Sequence, residues 1–307
     1  MTPTTPDSPL YAAVELGSDS FRLHAGRVED GALTLVATMA EAVRLAASLD
    51  EDGNLCAAAM RRAQACLGEF RRALDAWRPE AVRVVATSAL RMARNAPVFL
   101  PAAERALGRR IELIDGSEAG RLVYLGVAST LGAGDGAPRL VADIGSGSTE
   151  LVLGQGERIE RIESYAVGAV RQSLSFFGDG RIDEAGFEAA VRSGRSRFAQ
   201  SVLGRKSGGL AYGACGTVRA LADIAGGKPG LNRDTLMRLR RQVVEAGHLA
   251  RVRLGWEPAA RAPHLPGGLA LLIALMEELG LDEVRPVRAG LRVGALWDLH
   301  ARAAVSA

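Results

Sequence analysis

"RLVADIGSGSTELVLG", residues 139–154, decides the fold because the chain holds a second copy of its plan. Residues 11–27 read "YAAVELGSDSFRLHAGR". Each stretch is an apolar strand that ends in an acid and an aliphatic residue, followed by Gly-Ser-x-Ser and a second strand. Glu15-Leu16-Gly17-Ser18-Asp19-Ser20 aligns with Asp143-Ile144-Gly145-Ser146-Gly147-Ser148, 128 residues further on. A tight turn by itself does not require the acids. Two acid-led hairpins predict a duplicated fold, each half opening on the same unit, with a cleft between the halves.

The residues of the hairpin suggest its chemistry. Gly17, Gly145 and Gly147 can take a positive φ and carry no Cβ. Successive N–H groups of such a turn can then point at one anion. Ser18, Ser20, Ser146, Ser148 and Thr149 add hydroxyl donors, and Asp19 completes the first turn. A carboxylate at the strand end repels phosphate, but it can hold a hydrated magnesium ion or position a water. Asp143 and Glu150 beside a phosphate-binding turn therefore point to phosphoryl chemistry. Other phosphate loops fit less well. "GGK" at 226–228 is followed by Pro229, and "GSGSTE" has Glu150 where a third glycine would stand, with a strand rather than a helix after it.

The rest of the chain fits a two-domain α/β protein. It has 307 residues, 48% hydrophobic and 24% charged, enough for a substantial core. Strand patterns at 11–16, 21–28, 32–39, 81–87 and 110–114 alternate with helical stretches near 56–77, 97–108 and 117–131. Met60, Ala63, Leu67, Phe70, Leu74 and Trp77 form one apolar helix stripe, which reads as core. "GAGDGAP" (132–138) is the strongest break, and strands restart at 139–144, 150–154 and 158–166. Helical stretches follow near 168–177 and 183–203, then a short strand at 209–214, and a largely helical remainder broken by "EVRPV" (283–287). The expected domains are 11–134 and 135–307 after a disordered tail at 1–10, with the last helix packing back on the first domain.

The polar, Pro-rich start and the lack of any long apolar run predict a cytoplasmic protein without a membrane partner. A formal charge of +3 is too weak to argue for nucleic acid. Three scattered cysteines and four scattered histidines make no zinc pattern.

These motifs, taken in order, resemble the exopolyphosphatase / guanosine pentaphosphate phosphohydrolase (Ppx/GppA) family of the actin-like superfamily. "AAVELGSDSFRLHAGRV", "ATSALRMARNAPVFL", "IELIDGSEAGRLVYLGV", "LVADIGSGSTELVLG", "AVGAVRQS", "GACGTVRALADI" and "AGLRVGALWDL" carry the likeness over about residues 10–300. The resemblance implies two actin-like (ribonuclease H-like) domains around a cleft. It also implies hydrolysis of terminal phosphates from polyphosphate or guanosine pentaphosphate with Mg2+. Asp143 and Glu150 would carry the metal and position the attacking water, with Glu15 a further metal candidate. Both hairpin turns, Arg91, and Gly216 and Thr217 of "GACGT" would contact phosphate. A homodimer is also suggested.

Departures from the family pattern stand at motif positions. "GSEAGR" puts Ala119 where the family carries its presumed general-base glutamate, and Glu118 is the neighbouring substitute. Loss of a positioned base costs about 10²–10⁴ in rate. Glu15 replaces an aspartate, Ser146 a glycine, and Val293 a glutamate. Two readings follow: a working hydrolase with altered chemistry, or a polyphosphate- or nucleotide-binding member with little turnover.

Overall fold

The computed structural model describes residues 8–132, 136–203, 208–227, 230–252 and 264–306. Residues 1–7 of the expected tail and the expected boundary at 134/135 lie outside them. In chain order the elements start with β1 (Tyr11–Leu16), β2 (Phe21–Glu29), β3 (Ala32–Glu41), α1 (Ala57–Trp77) and β4 (Ala81–Ala86). Next are α2 (Ser88–Met92), α3 (Ala96–Leu107), β5 (Glu112–Leu113) and α4 (Gly116–Leu131). A second series holds β6 (Arg139–Ile144), β7 (Thr149–Gln155), β8 (Arg158–Tyr165), α5 (Ala169–Phe177), α6 (Glu184–Phe198) and β9 (Leu210–Gly213). It closes with α7 (Gly216–Ile224), β10 (Leu231–Asn232), α8 (Arg233–Ala246), α9 (Leu265–Leu279), β11 (Glu283–Pro286) and α10 (Leu291–Ser306). No helix among the described residues is long and apolar enough to cross a membrane.

The chain divides into two compact units. One holds the residues up to Asp115 together with Leu291 onward, and the other holds Gly116–Gly290. The division thus falls one helix before "GAGDGAP": α4 belongs to the second unit, and α10 belongs to the first.

In the first unit the sheet order is β3-β2-β1-β4-β5, antiparallel through β1–β2–β3 and parallel through β1–β4–β5. Period-two patterning explains its faces. Ala12, Val14 and Leu16 of β1 and Phe21, Leu23 and Ala25 of β2 join one core with Leu67, Phe70 and Phe99 of α1 and α3. In the α1 stripe Ala63, Leu67, Phe70 and Leu74 are buried, with Met60 and Trp77 at the core margin. The register pairs Glu15 with Arg22 and Ala13 with His24, so these four share the opposite face.

In the second unit the order is β10-β11-β9-β6-β7-β8, and the run β8-β7-β6-β9-β11 repeats the plan of β3-β2-β1-β4-β5. The duplication extends to a defect. The register slips between Ala25 and Gly26 in one hairpin and between Leu153 and Gly154 in the other, 128 residues apart. A Cβ on Gly26 would lie 3.4 Å from Leu296 of α10, and one on Gly154 would lie 2.5 Å from the Tyr124 ring of α4. Each slipped strand leaves a bare glycine, and a helix packs onto it.

Candidate functional site

Asp143 and Glu150 face each other across β6 and β7. Directly opposed residues of an antiparallel pair point to the same side. The core takes the other side, through Leu140, Ala142, Ile144, Leu151 and Leu153. Glu150 lies under α4. Glu150 is 5% exposed and accepts a hydrogen bond of 3.2 Å from Ser164 Oγ, its register partner on β8.

Two glycines let α4 approach so closely. A Cβ on Gly116 would fall inside the Ser164 hydroxymethyl group and 3.7 Å from Glu150 Oε1. One on Gly120 would lie 2.7 Å from Ile162 Cγ2 and 3.8 Å from Glu150 Cβ. Gly120 thus serves close packing. Ala119 is buried at 5% exposure. Glu118 is in the first turn of α4 and accepts two hydrogen bonds from Arg121, at 2.7 and 2.9 Å. Its carboxylate is held along its own helix.

Both turns use glycine for space. Neither Gly17 nor Gly145 has a positive φ. Their Cβ atoms would lie 2.7 Å from Ser20 O and 3.0 Å from Ser148 O. In the second turn Gly145 N donates to Ser148 O at 2.9 Å. Gly145 O and Ser146 O accept from Ala169 and Val170 N, the opening amides of α5, at 2.8 and 3.0 Å. Gly168 seats this contact, since a Cβ there would be 2.6 Å from Gly147 N. The Gly145 and Ser146 carbonyls are thus tied to the start of α5.

Several hydroxyls expected to meet phosphate are committed within the protein. Thr149, fully buried, donates to Val167 O at 2.7 Å. Thr217 donates to Ile144 O at 3.1 Å, which ties α7 to the end of β6. Gly216 opens α7, and Cys215 Sγ caps it by accepting from Val218 N at 3.3 Å. Burial first, and the Asp143 carboxylate second, push the Cys215 thiol up to about 11 against the opposing Val218 N–H.

The first hairpin shares the backbone plan and has different chemistry. The position equivalent to Glu150 is Arg22, whose Nε donates to Ser20 Oγ at 3.0 Å. Glu15 is ion-paired with Arg292 of α10, and Arg292 Nε also donates to His24 Nε2 at 3.1 Å. A metal at Glu15 would have to displace that guanidinium. Ser18 is buried, 2.8 Å from Ser88 Oγ, and accepts from Ala89 N at 3.1 Å. It thereby fixes α2, whose Arg91 donates to Ile114 O at 2.7 Å.

The acid pair fits a magnesium ion that keeps several waters and takes substrate oxygens, since such ions need only one or two carboxylates. No group of three or more His, Cys, Asp or Glu able to hold a metal occurs among the described residues. A cavity of about 370 Å³ lies in the first unit between Met39–Val43 and the Arg62, Cys66 and Phe70 side of α1. Sequence reasoning missed Ser164, Gly116 and Gly120 as partners of Glu150. Strand register would have revealed Ser164, and the glycines needed knowledge of which sheet α4 covers.

The fold and site define a duplicated α/β protein with a paired-acid hairpin beside a glycine turn whose carbonyls are tied to a helix. Residues 26–303 match the Ppx/GppA phosphatase family, and the chain belongs to that family. It is 37% identical over 298 residues to a guanosine-5'-triphosphate,3'-diphosphate pyrophosphatase of Vibrio campbellii, covering 95% of this chain and 59% of the relative. A protein of the same description from Aeromonas salmonicida is 39% identical over 301 residues, covering 95% of this chain and 60% of the relative. The chain thus spans about 60% of the length of these relatives. Among solved structures, an exopolyphosphatase-like protein superposes with TM-score 0.85 at 25% identity, covering 97% of this chain and 99% of the other. An exopolyphosphatase from Cytophaga hutchinsonii superposes with TM-score 0.84 at 20% identity, covering 95% and 98%, and shares the fold.

Proposed function

We propose that the chain hydrolyses terminal phosphoanhydride bonds, releasing phosphate from guanosine pentaphosphate or linear polyphosphate. One observation carries the reading: Asp143 and Glu150 stand opposed on one sheet face, directly behind a turn whose carbonyls are tied to α5. In the reaction a water oxygen bonds to the terminal phosphorus and the bridging P–O bond breaks. Orthophosphate leaves, and the shortened chain keeps the bridging oxygen. Turn amides hold the phosphate oxygens. Glu150, fixed by Ser164, orients the water and takes its proton. Magnesium, held by Asp143 and Glu150, would neutralise charge on the phosphates. The nucleotide substrate is favoured by the names of the relatives at 37% and 39% identity.

The test is phosphate release by purified protein with magnesium, on each substrate in parallel. Release from at least one substrate, lost on chelation of magnesium and lowered about 10³-fold or more in Asp143→Ala, is the expected outcome. Wild-type release no greater than that of Asp143→Ala on both substrates removes the reading.

A further inference from the structure

We propose that Arg44 is an additional anion-binding side chain of the first hairpin turn. The inference rests on the phosphate reading and names a residue that neither hairpin motif contains. Arg44 has φ 56°, in the left-handed region that glycine adopts freely and residues with a Cβ adopt uncommonly. Its backbone is pegged on every side. Its N–H donates to Asp19 O at 2.7 Å, and two residues on Ala46 N donates to Ser18 O at 2.8 Å. Its carbonyl accepts from Ser48 Oγ at 2.7 Å. Val43 and Leu45, on either side, are 1% and 0% exposed. The loop is therefore strapped to the turn residues Ser18 and Asp19, and Arg44 is the exposed position in the strap.

Glycine would satisfy this backbone with less strain, so the side chain needs another reason to be there. Packing does not supply one, because Arg44 is exposed. Ion pairing does not either: its guanidinium makes no hydrogen bond or salt bridge among the described residues. The strap also engages the Ser18 and Asp19 carbonyls, which removes their negative ends from the ligand side of the turn. A forked cation within one side-chain length of such a turn suits phosphate oxygens.

The experiment is titration of the full chain with inorganic tripolyphosphate in magnesium buffer, with melting temperatures of the unliganded proteins. Arg44→Gly is expected to bind about tenfold more weakly and to melt at or above wild type. Arg44→Lys, which keeps charge without the fork, is expected to fall between them. If wild type binds and Arg44→Gly binds equally well, the Arg44 inference fails while the phosphate reading stands. An Arg44→Gly protein that melts well below wild type makes Arg44 structural and also overturns it. Absence of wild-type binding removes both.

Discussion

Glu150 is a buried carboxylate whose surroundings are set by a missing side chain. Gly116 leaves room for Ser164, and Ser164 donates to Glu150. A methyl group at Gly116 cannot be accommodated by a flexible tip, because it would overlap the Ser164 Cβ as well as its hydroxyl. Gly116→Ala is therefore expected to cost about 1–3 kcal/mol of stability through overpacking. It is also expected to lower phosphate release about tenfold, as the Ser164 bond to a charged acceptor is lost. Melting temperature and rate together check this, and a variant matching wild type in both would show that α4 can shift freely. At this scale the sequence was only partly readable. The acids and turns stood out by their repeat, whereas Thr149 and Thr217 looked like ligand donors until their backbone acceptors were known. Hydroxyl partners are set by tertiary contacts that no local pattern carries.

The strands of the hairpins were legible because each is a short apolar run bounded by turn residues, and β1 and β6 run over the expected residues. Helix α2 was missed; it is only five residues long and held by Ser18 rather than by an apolar stripe. Helix α10 belongs to the first unit, where a buried ion pair helps to fasten it. Arg83 of β4, 5% exposed, meets Asp298 of α10 at 2.8 Å and Glu112 of β5 at 2.9 Å. Asp298 also meets Arg302 one turn on, at 2.8 Å. A buried ion pair contributes little over an apolar replacement, but losing one partner strands the other charge. Asp298→Ala is expected to destabilise the first unit by about 3 kcal/mol, near the low end for a broken buried pair because Glu112 remains. Asp298→Ala combined with Arg83→Met should recover much of that loss. Denaturant titration of the two variants checks the coupling, and equal stability of the two would show that the pair is dispensable.

At the scale of the whole molecule the duplication is not two consecutive domains. Helix α4 ends the first sequence repeat and covers the hairpin sheet of the second unit, while α10 ends the second repeat and covers that of the first. The hairpins announce where each repeat begins. They cannot announce which sheet the closing helix will cover, since an apolar helix face states that it is buried and not against what. The exchange has a consequence for fragments. Residues 116–290 form one compact unit without a chain break, so a fragment of that span is expected to fold alone. Residues 1–115 lack Leu291, Ala295 and Leu296, which are 8%, 0% and 0% exposed, as well as Arg292 and Asp298, which answer Glu15 and Arg83. Burial of the two leucines alone is worth about 3–6 kcal/mol, comparable to the stability of a small domain. The 1–115 fragment is therefore expected to lack a cooperative thermal transition and to gain one when residues 291–307 are fused to its end by a flexible linker. Circular dichroism melts of the three fragments decide it: cooperative melting of 1–115 alone would show that α10 is dispensable to the first unit.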